Sequence, residues 1–469
     1  MISLLPLHQI NLPPIVAQAD NPKPIKPQSL PIEPPQPPPA VPPKEILRRQ
    51  EMRVLPGKLD NVLVFNSNSP ELVINEGILL SSFPPAGKQH PEAHLDRSLS
   101  GRFDIFTHHI RKGSETDLKS LYHAVVAHNP GKEAVTIDIL HAASYVSQPD
   151  APFIDLPAVL PNDKGNVYAG PGSRGGSDIL RGRRQADFPA TVTIPPGEYR
   201  LLMNLPIGIK MLTPPINGRS TIMRVRSTAP VYLASLALLA KTDEKGEERA
   251  PNLSEWLEVI QNGKLSAPRD KVPTPLDDKG LIYGRVAGIA QGSQWHGYVT
   301  DPGKPDLQIP TAGNAYSYGI ATLHRGMMGT GQKQTAKMLA RYPDTAYEAH
   351  GNYAVQYSLT LPLVNQTSET QTVQLTFETP LKREDTKEGL RFFDPLPKNT
   401  FFRGTVRFMY NDDRNIPQTR YFHLVQKRGQ QGEPLVTLTL KPGDRKFVKF
   451  DVVYPADASP PQVLTVKTK

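Results

Sequence analysis

The sequence predicts a mainly β protein: two antiparallel β-sandwich bodies, Ig-like or jelly-roll-like, behind a disordered Pro-rich N-terminal segment. Three observations predict it. Proline makes up 50 of the 469 residues, about twice ordinary usage, which excludes a mainly helical chain because proline lacks the N–H that a helix interior needs. From Met52 onward apolar and polar residues mostly alternate with period two, the signature of half-buried strands. One hairpin pattern also occurs twice. Two β-rich runs flank Asn129-Pro130-Gly131-Lys132, and two more flank Asn365 to Glu369; each pair is followed by a Pro-Gly turn, at Pro196-Gly197 and Pro442-Gly443, that opens an alternating strand. A recurring hairpin with a matching closing strand is the mark of two copies of one sandwich, although ordinary turn chemistry used twice gives the same pattern.

Residues 1–19 resemble a degenerate or truncated signal peptide. Ala17-Gln18-Ala19 has the small-x-small form of a cleavage site, which makes Asp20 the first mature residue, but no Lys or Arg precedes the apolar part and Pro13 and Pro14 interrupt it. Residues 20–51 read as a tether. Thirteen of the thirty-one residues from Pro13 to Pro43 are proline, a composition that gives a semi-rigid polyproline-II spacer of about 90 Å when fully extended. A docking site for a proline-reading domain is the other use of such a segment.

Sandwich 1 is expected over 52–240, a polar linker with one short helix over 241–280, and sandwich 2 over 281–469. Further strands are expected at Leu59–Phe65, Thr221–Arg226, Val231–Leu239, Leu281–Ala290, Thr405–Tyr410, Thr419–Gln426 and Leu435–Leu440. The helix begins near Asn252, with Ser254 as its expected cap and Asn262-Gly263 as its stop. No run after the leader approaches the ~18 apolar residues that a membrane helix requires.

Several long strings carry a family resemblance: residues 66–85 (NSNSPELVINEGILLSSFPP), 128–153 (HNPGKEAVTIDILHAASYVSQPDAPF), 217–240 (NGRSTIMRVRSTAPVYLASLALLA), 341–359 (RYPDTAYEAHGNYAVQYSL) and 402–413 (FRGTVRFMYNDD). From residue 52 to the end, the chain resembles the cyanobacterial family known as domain of unknown function 3370. The resemblance implies an exported or envelope-associated protein and supplies no catalytic residue.

The search for chemistry begins with exclusions. The chain has no cysteine, so disulfides, thiolate metal sites, iron–sulfur clusters and cysteine nucleophiles are excluded. Gly170-Pro171-Gly172-Ser173-Arg174-Gly175 matches the dinucleotide fingerprint formally, but no helical pattern follows it, so a glycine-rich loop is expected and no cofactor. Among twelve histidines no metal-binding spacing occurs. His108, His109 and His141 form a metal site only if the fold gathers them, and locally hydrogen-bonded histidines are the simpler reading, so no metal is expected. His123 and His128 differ by an odd number, which puts them on opposite faces of one strand. Asp412-Asp413 reads as a hairpin turn.

The net charge of +9 is a mild excess that suits weak attraction to anionic polymers. Arg181, Arg183 and Arg184, with Arg174 upstream, are the densest basic group and the expected anion- or polymer-binding residues. A solvated loop gives the same pattern, and nothing in it indicates specific nucleic-acid recognition. Trp295 and Tyr298 are the best candidates for stacking on sugar rings, although core aromatics of a sandwich look the same.

These readings lead to an exported protein of the periplasm, cell envelope or extracellular space, a structural or binding component whose partner is envelope polysaccharide or an envelope protein. Carbohydrate binding is the alternative. A glycan hydrolase, with carboxylates such as Asp104, Asp138, Asp412 and Asp413 brought together by the fold, is the second.

Overall fold

The computed structural model describes residues 42–469, so the leader and residues 20–41 of the tether lie outside the described residues. The chain is mainly β, as its period-two pattern requires. In the first body, alternate side chains of Leu99–Lys112, Leu121–His128 and Val135–Val146 turn inward, and Phe103, Ile105, Val125, Ala127, Ile137 and Ile139 fill one core. The two strands expected at Thr221–Arg226 and Val231–Leu239 are one strand of 24 residues, Ile216–Leu239. Its first half pairs with Leu99–Lys112 and Val135–Val146, and its second half with Gly77–Ser81 and Leu121–His128. A register break between Ser227 and Val231 marks where it passes from one sheet to the other.

The second body repeats this logic. One sheet holds Pro417–Lys427, Thr400–Asn411, Arg445–Val453, Gln356–Val364 and Gln294–Tyr298; the other holds Ala315–Ile320, Gln462–Thr468, Gln371–Glu378 and Val436–Leu440. Between them lie Tyr357, Leu361, Phe377, Phe408, Phe450 and Leu464.

The repeated hairpin is a repeated structure. Leu121–His128 pairs with Tyr199–Ile207 while Val135–Val146 pairs with Thr191–Ile194. In the second body Gln356–Val364 pairs with Arg445–Val453 while Gln371–Glu378 pairs with Val436–Leu440. The two asparagines lock these crossings identically. Asn129 Nδ2 donates to the carbonyls of Glu133 (2.7 Å) and Ile194 (2.9 Å), and Asn365 Nδ2 to those of Glu369 (2.8 Å) and Leu440 (2.9 Å). Each Oδ1 accepts the N–H two residues on, from Gly131 and Thr367. Each backbone carbonyl accepts from the glycine of the distant Pro-Gly turn, Gly197 or Gly443. Both side chains are fully buried, so each amide supplies N–H donors to buried carbonyls at strand ends that water does not reach.

Strands also cross between the halves. Ala287–Gln291 joins the first body through Leu63–Ser67 and carries Ala336–Arg341 with it. Val159–Pro161 pairs with Pro417–Lys427 in the second. Lys44–Arg48, inside the segment expected to be a tether, pairs with Leu390–Asp394, and Glu51–Arg53 pairs with Ala315–Ile320. The section 241–280 separates the halves in sequence, while segments from either side of it share sheets in space.

The expected helix is α2 (Leu253–Asn262). Its cap is Asn252 in place of Ser254: the Asn252 side chain accepts from Glu255 N while Glu255 returns to Asn252 N, a reciprocal capping box. Trp256, Val259 and Ile260 pack it on the outer face of the first body, against Ile78, Phe83 and Leu236.

Candidate functional site

The glycine-rich stretch expected to be a loop is helix α1 (Pro171–Leu180), which lies between the two bodies. Glycine is a poor helix former in isolation, but here tertiary packing decides. Pro171 starts the helix at a position where its missing N–H costs nothing. Ile179 and Leu180 pack with Phe106, Ala143 and Ile222 of the first body and Val453 of the second. A Cβ on Gly176 would stand 3.3 Å from the Val453 carbonyl, and one on Gly172 would stand 2.9 Å from Asp457 Oδ2, so only small residues admit this approach. The helix N-terminus, which attracts negative charge, receives a carboxylate of the same chain: Ser173 N donates to Asp457 Oδ2 at 2.9 Å. Burial pushes the Asp457 carboxyl up, against the pull of His108 and these N–H groups.

The four arginines follow from this placement. Arg174, on α1, donates to the Asp150 carbonyl and lies over the rings of Tyr145 (4.0 Å) and Tyr168 (4.4 Å). Arg181 donates to the carbonyls of Asn162 and Asp163 and covers Tyr421 at 3.8 Å. Arg183 bonds Asp178 Oδ1 at 3.0 Å and Arg184 the Ile139 carbonyl at 3.0 Å. All four donate N–H groups to the chain's own framework around α1, and Arg181 and Arg183 stand side by side over the 162–165 loop.

The two aromatics part company. Trp295 is buried, donates its indole N–H to the Pro56 carbonyl at 3.1 Å and stacks on Tyr357. Its ring is a core ring and cannot face a sugar. Tyr298, three residues on, points to the opposite face of the same strand and is 65% exposed. Its row across the sheet continues through Thr360 and Lys449 to Met409, and Phe447, 46% exposed, stands in the next row opposite Pro362. Lys449 is exposed and has no ion pair among the described residues. Arg445 sits 4.5 Å from the Phe447 ring and pairs with Asp306. Sequence reasoning missed Phe447 and Lys449 as companions of Tyr298. The signal was the alternation with Val448 and Phe450, which puts 447 and 449 on the outer face once the core face is known.

The remaining candidates are distributed through the framework. His109 bonds Ser67 Oγ and the Pro70 carbonyl, while His108, on the other face, bonds Ser220 Oγ at 2.7 Å and approaches Glu71 at 3.6 Å. Burial alone would lower His108, but Glu71 overcomes it and raises it; burial would raise Glu71, but His108 and Arg285 hold it below the usual carboxylate range. His123, buried, bonds Ser235, and His128 stacks on Tyr199 from the opposite face. Among the described residues no group of three His, Cys, Asp or Glu is placed to hold a metal ion. Asp412 accepts from Arg414 N and Ile416 N in the hairpin turn its sequence predicts. Asp413 pairs with Lys446, and Asp138 lies on the Val135–Val146 strand. Asp104 pairs with Arg102 and begins a buried relay between the bodies: Arg224 donates to Gln356 (2.7 Å), Gln356 to Asp451 (3.4 Å), and Arg407 clamps Asp451 (2.9 Å) and the α1 carbonyl of Leu180 (3.1 Å).

Fold and site together define a mainly β protein of two interlocked sandwich bodies, with most of its buried charges paired within its own framework and, among the described residues, one aromatic, basic sheet face exposed. The chain belongs to the family described as a protein of unknown function, DUF3370, whose model matches residues 50–468. No curated protein matches the chain. No helix among the described residues is long and apolar enough to cross a membrane.

Proposed function

We propose that this is an exported cell-envelope protein, of cyanobacterial type, that binds anionic envelope polysaccharide through the outer sheet face around Tyr298, Phe447 and Lys449. The carrying observation is that Tyr298 and Phe447 stand exposed on one sheet face beside Lys449, which has no ion pair among the described residues. Aromatic faces accept the C–H faces of sugar rings, and a lysine ammonium attracts uronate or sulfate groups along the polymer. Sheet spacing puts the two aromatics about 12 Å apart, so a polymer can touch both. Export rests on Ala17-Gln18-Ala19 and the Pro-rich spacer that follows.

The test is retardation of the full chain in native gels containing alginate. Tyr298→Ala with Phe447→Ala is expected to abolish retardation, and Lys449→Ala to weaken it and reduce its salt dependence. Equal mobility with and without alginate, or undiminished retardation of the double variant, would remove this reading.

A further inference from the structure

A cavity of about 110 Å³ opens where the two bodies meet, lined by Asn68, Glu71 and His108 from the first and by Arg403, Asp457 and Ser459 from the second. Its charges are matched, with one exception. Glu71 has His108 at 3.6 Å and Arg285 at 3.3 Å, and Arg285 also pairs with Asp270. Asp457 accepts from the α1 N-terminus. Arg403 has no ion pair among the described residues, and its Nε is buried without a hydrogen-bond partner. Its guanidinium lies 5.3 Å from the Phe153 ring, which also lines the cavity. Burial lowers it, with Asp457 and Asp155 acting only from a distance.

Two acceptors on the same cavity are orphaned as well. Asn68 Oδ1 is buried without a donor. His350 is 9% exposed; its Nε2 lies 2.8 Å from the Gly284 carbonyl and must carry the proton, which leaves the buried Nδ1 as an acceptor with no donor. A partly buried guanidinium whose counter-charge, Asp457 on the same cavity wall, makes no direct ion pair with it, and buried acceptors without donors, are each unfavourable, and a native protein ordinarily resolves them with water or a ligand. The missing complement has a definite chemistry. Its planar negative end matches the guanidinium fork, and its other end supplies an N–H or O–H. The room available is that of about four waters, or of an acid of two or three carbons. Phosphate presents acceptors almost throughout and fits the orphaned acceptors poorly.

We infer that this cavity binds a small carboxylate bearing a hydroxyl or amino group, with the carboxylate on Arg403 and the donor on Asn68 Oδ1 or His350 Nδ1. The site is separate from the polymer-binding face, so either can fail without the other.

Thermal unfolding of the full chain tests it, with glycolate, glycine, acetate and inorganic phosphate compared at one ionic strength against chloride. Glycolate or glycine is expected to raise Tm saturably, by about 1–3 °C, and to exceed acetate; which of the two acts distinguishes a hydroxy acid from an amino acid. Arg403→Met keeps the packing stem and removes the charge. It is expected to abolish the shift while leaving the ligand-free Tm unchanged or higher. No response beyond chloride, a larger response to phosphate, or an equal response from the Arg403→Met protein overturns the site. A response to acetate as large as to glycolate and glycine overturns the donor assignment. A less stable ligand-free Arg403→Met protein contradicts the premise that Arg403 lacks a partner.

Discussion

Asn129 and Asn365 are the residues on which each sandwich turns. Each amide fills acceptors at two places distant in sequence, and removal leaves buried carbonyls without donors. Asn129→Ala and Asn365→Ala are each expected to cost about 2–3 kcal/mol in urea unfolding, and Asn365→Asp nearly as much, because a carboxylate cannot donate to the Glu369 and Leu440 carbonyls. Buried histidines set the pH dependence. Burial holds His109, His350 and His423 down to about 4, below the ordinary histidine value of 6.5. The unfolded chain therefore takes up protons between pH 6.5 and 4 that the folded chain refuses, and stability falls as pH falls through that window. The slope reaches on the order of 4 kcal/mol per pH unit from three groups. His108 works in the opposite sense: its pKa is raised by Glu71, so its contribution is present below the ordinary histidine value and is lost as pH rises through the raised one. Urea midpoints across pH 4 to 7 check the sign, and His423→Gln should flatten the curve by one proton.

At the scale of elements, α1 gives the sharpest contrast. Gly172→Ala places a methyl 2.9 Å from Asp457 Oδ2 and 3.0 Å from Ala456 N, and is expected to cost about 1–3 kcal/mol. Gly175→Ala meets nothing closer than Ile222 Cδ1 at 4.0 Å, and is expected to stabilise the helix by up to about 1 kcal/mol. Thermal melts of the two variants should move in opposite directions. The same helix shows where the sequence ran out. Outer strands were legible because they have one core face and one outer face, as Phe447 to Phe450 shows. Residues 171–180 carry glycine at 172, 175 and 176 and only Ile179 and Leu180 as large apolar side chains, so their sequence reads as a loop although packing makes it a helix. Ser254 and Asn252 are both good capping residues, and Glu255, three residues after Asn252, is the sign that decides between them. The odd separation of Trp295 and Tyr298 along one strand divides them between two faces, so the sequence alone already argues against a shared aromatic surface.

The whole molecule is interlocked. Ala287–Gln291 and Ala336–Arg341 complete a sheet of the first body, Val159–Pro161 extends one of the second, and the Asp104–Arg224–Gln356–Asp451–Arg407 relay runs between them. Residues 52–240 or 281–469 expressed alone are expected to aggregate, and the intact chain to unfold in one calorimetric transition; two independent transitions would show separable bodies. The repeated hairpin was legible from turn residues, but strand exchange was not, because it depends on contacts between residues more than a hundred positions apart. Lys44–Arg48 and Glu51–Arg53 anchor the chain after the Pro-rich segment onto the second body, so a spacer held at an envelope surface would carry both bodies together. Whether the protein reaches that surface is the central question, and fractionation of the native source with N-terminal sequencing answers it most directly. A mature chain beginning at Asp20 in the periplasm, envelope or medium is the predicted result; an intact Met1 form confined to the cytosol would contradict the account.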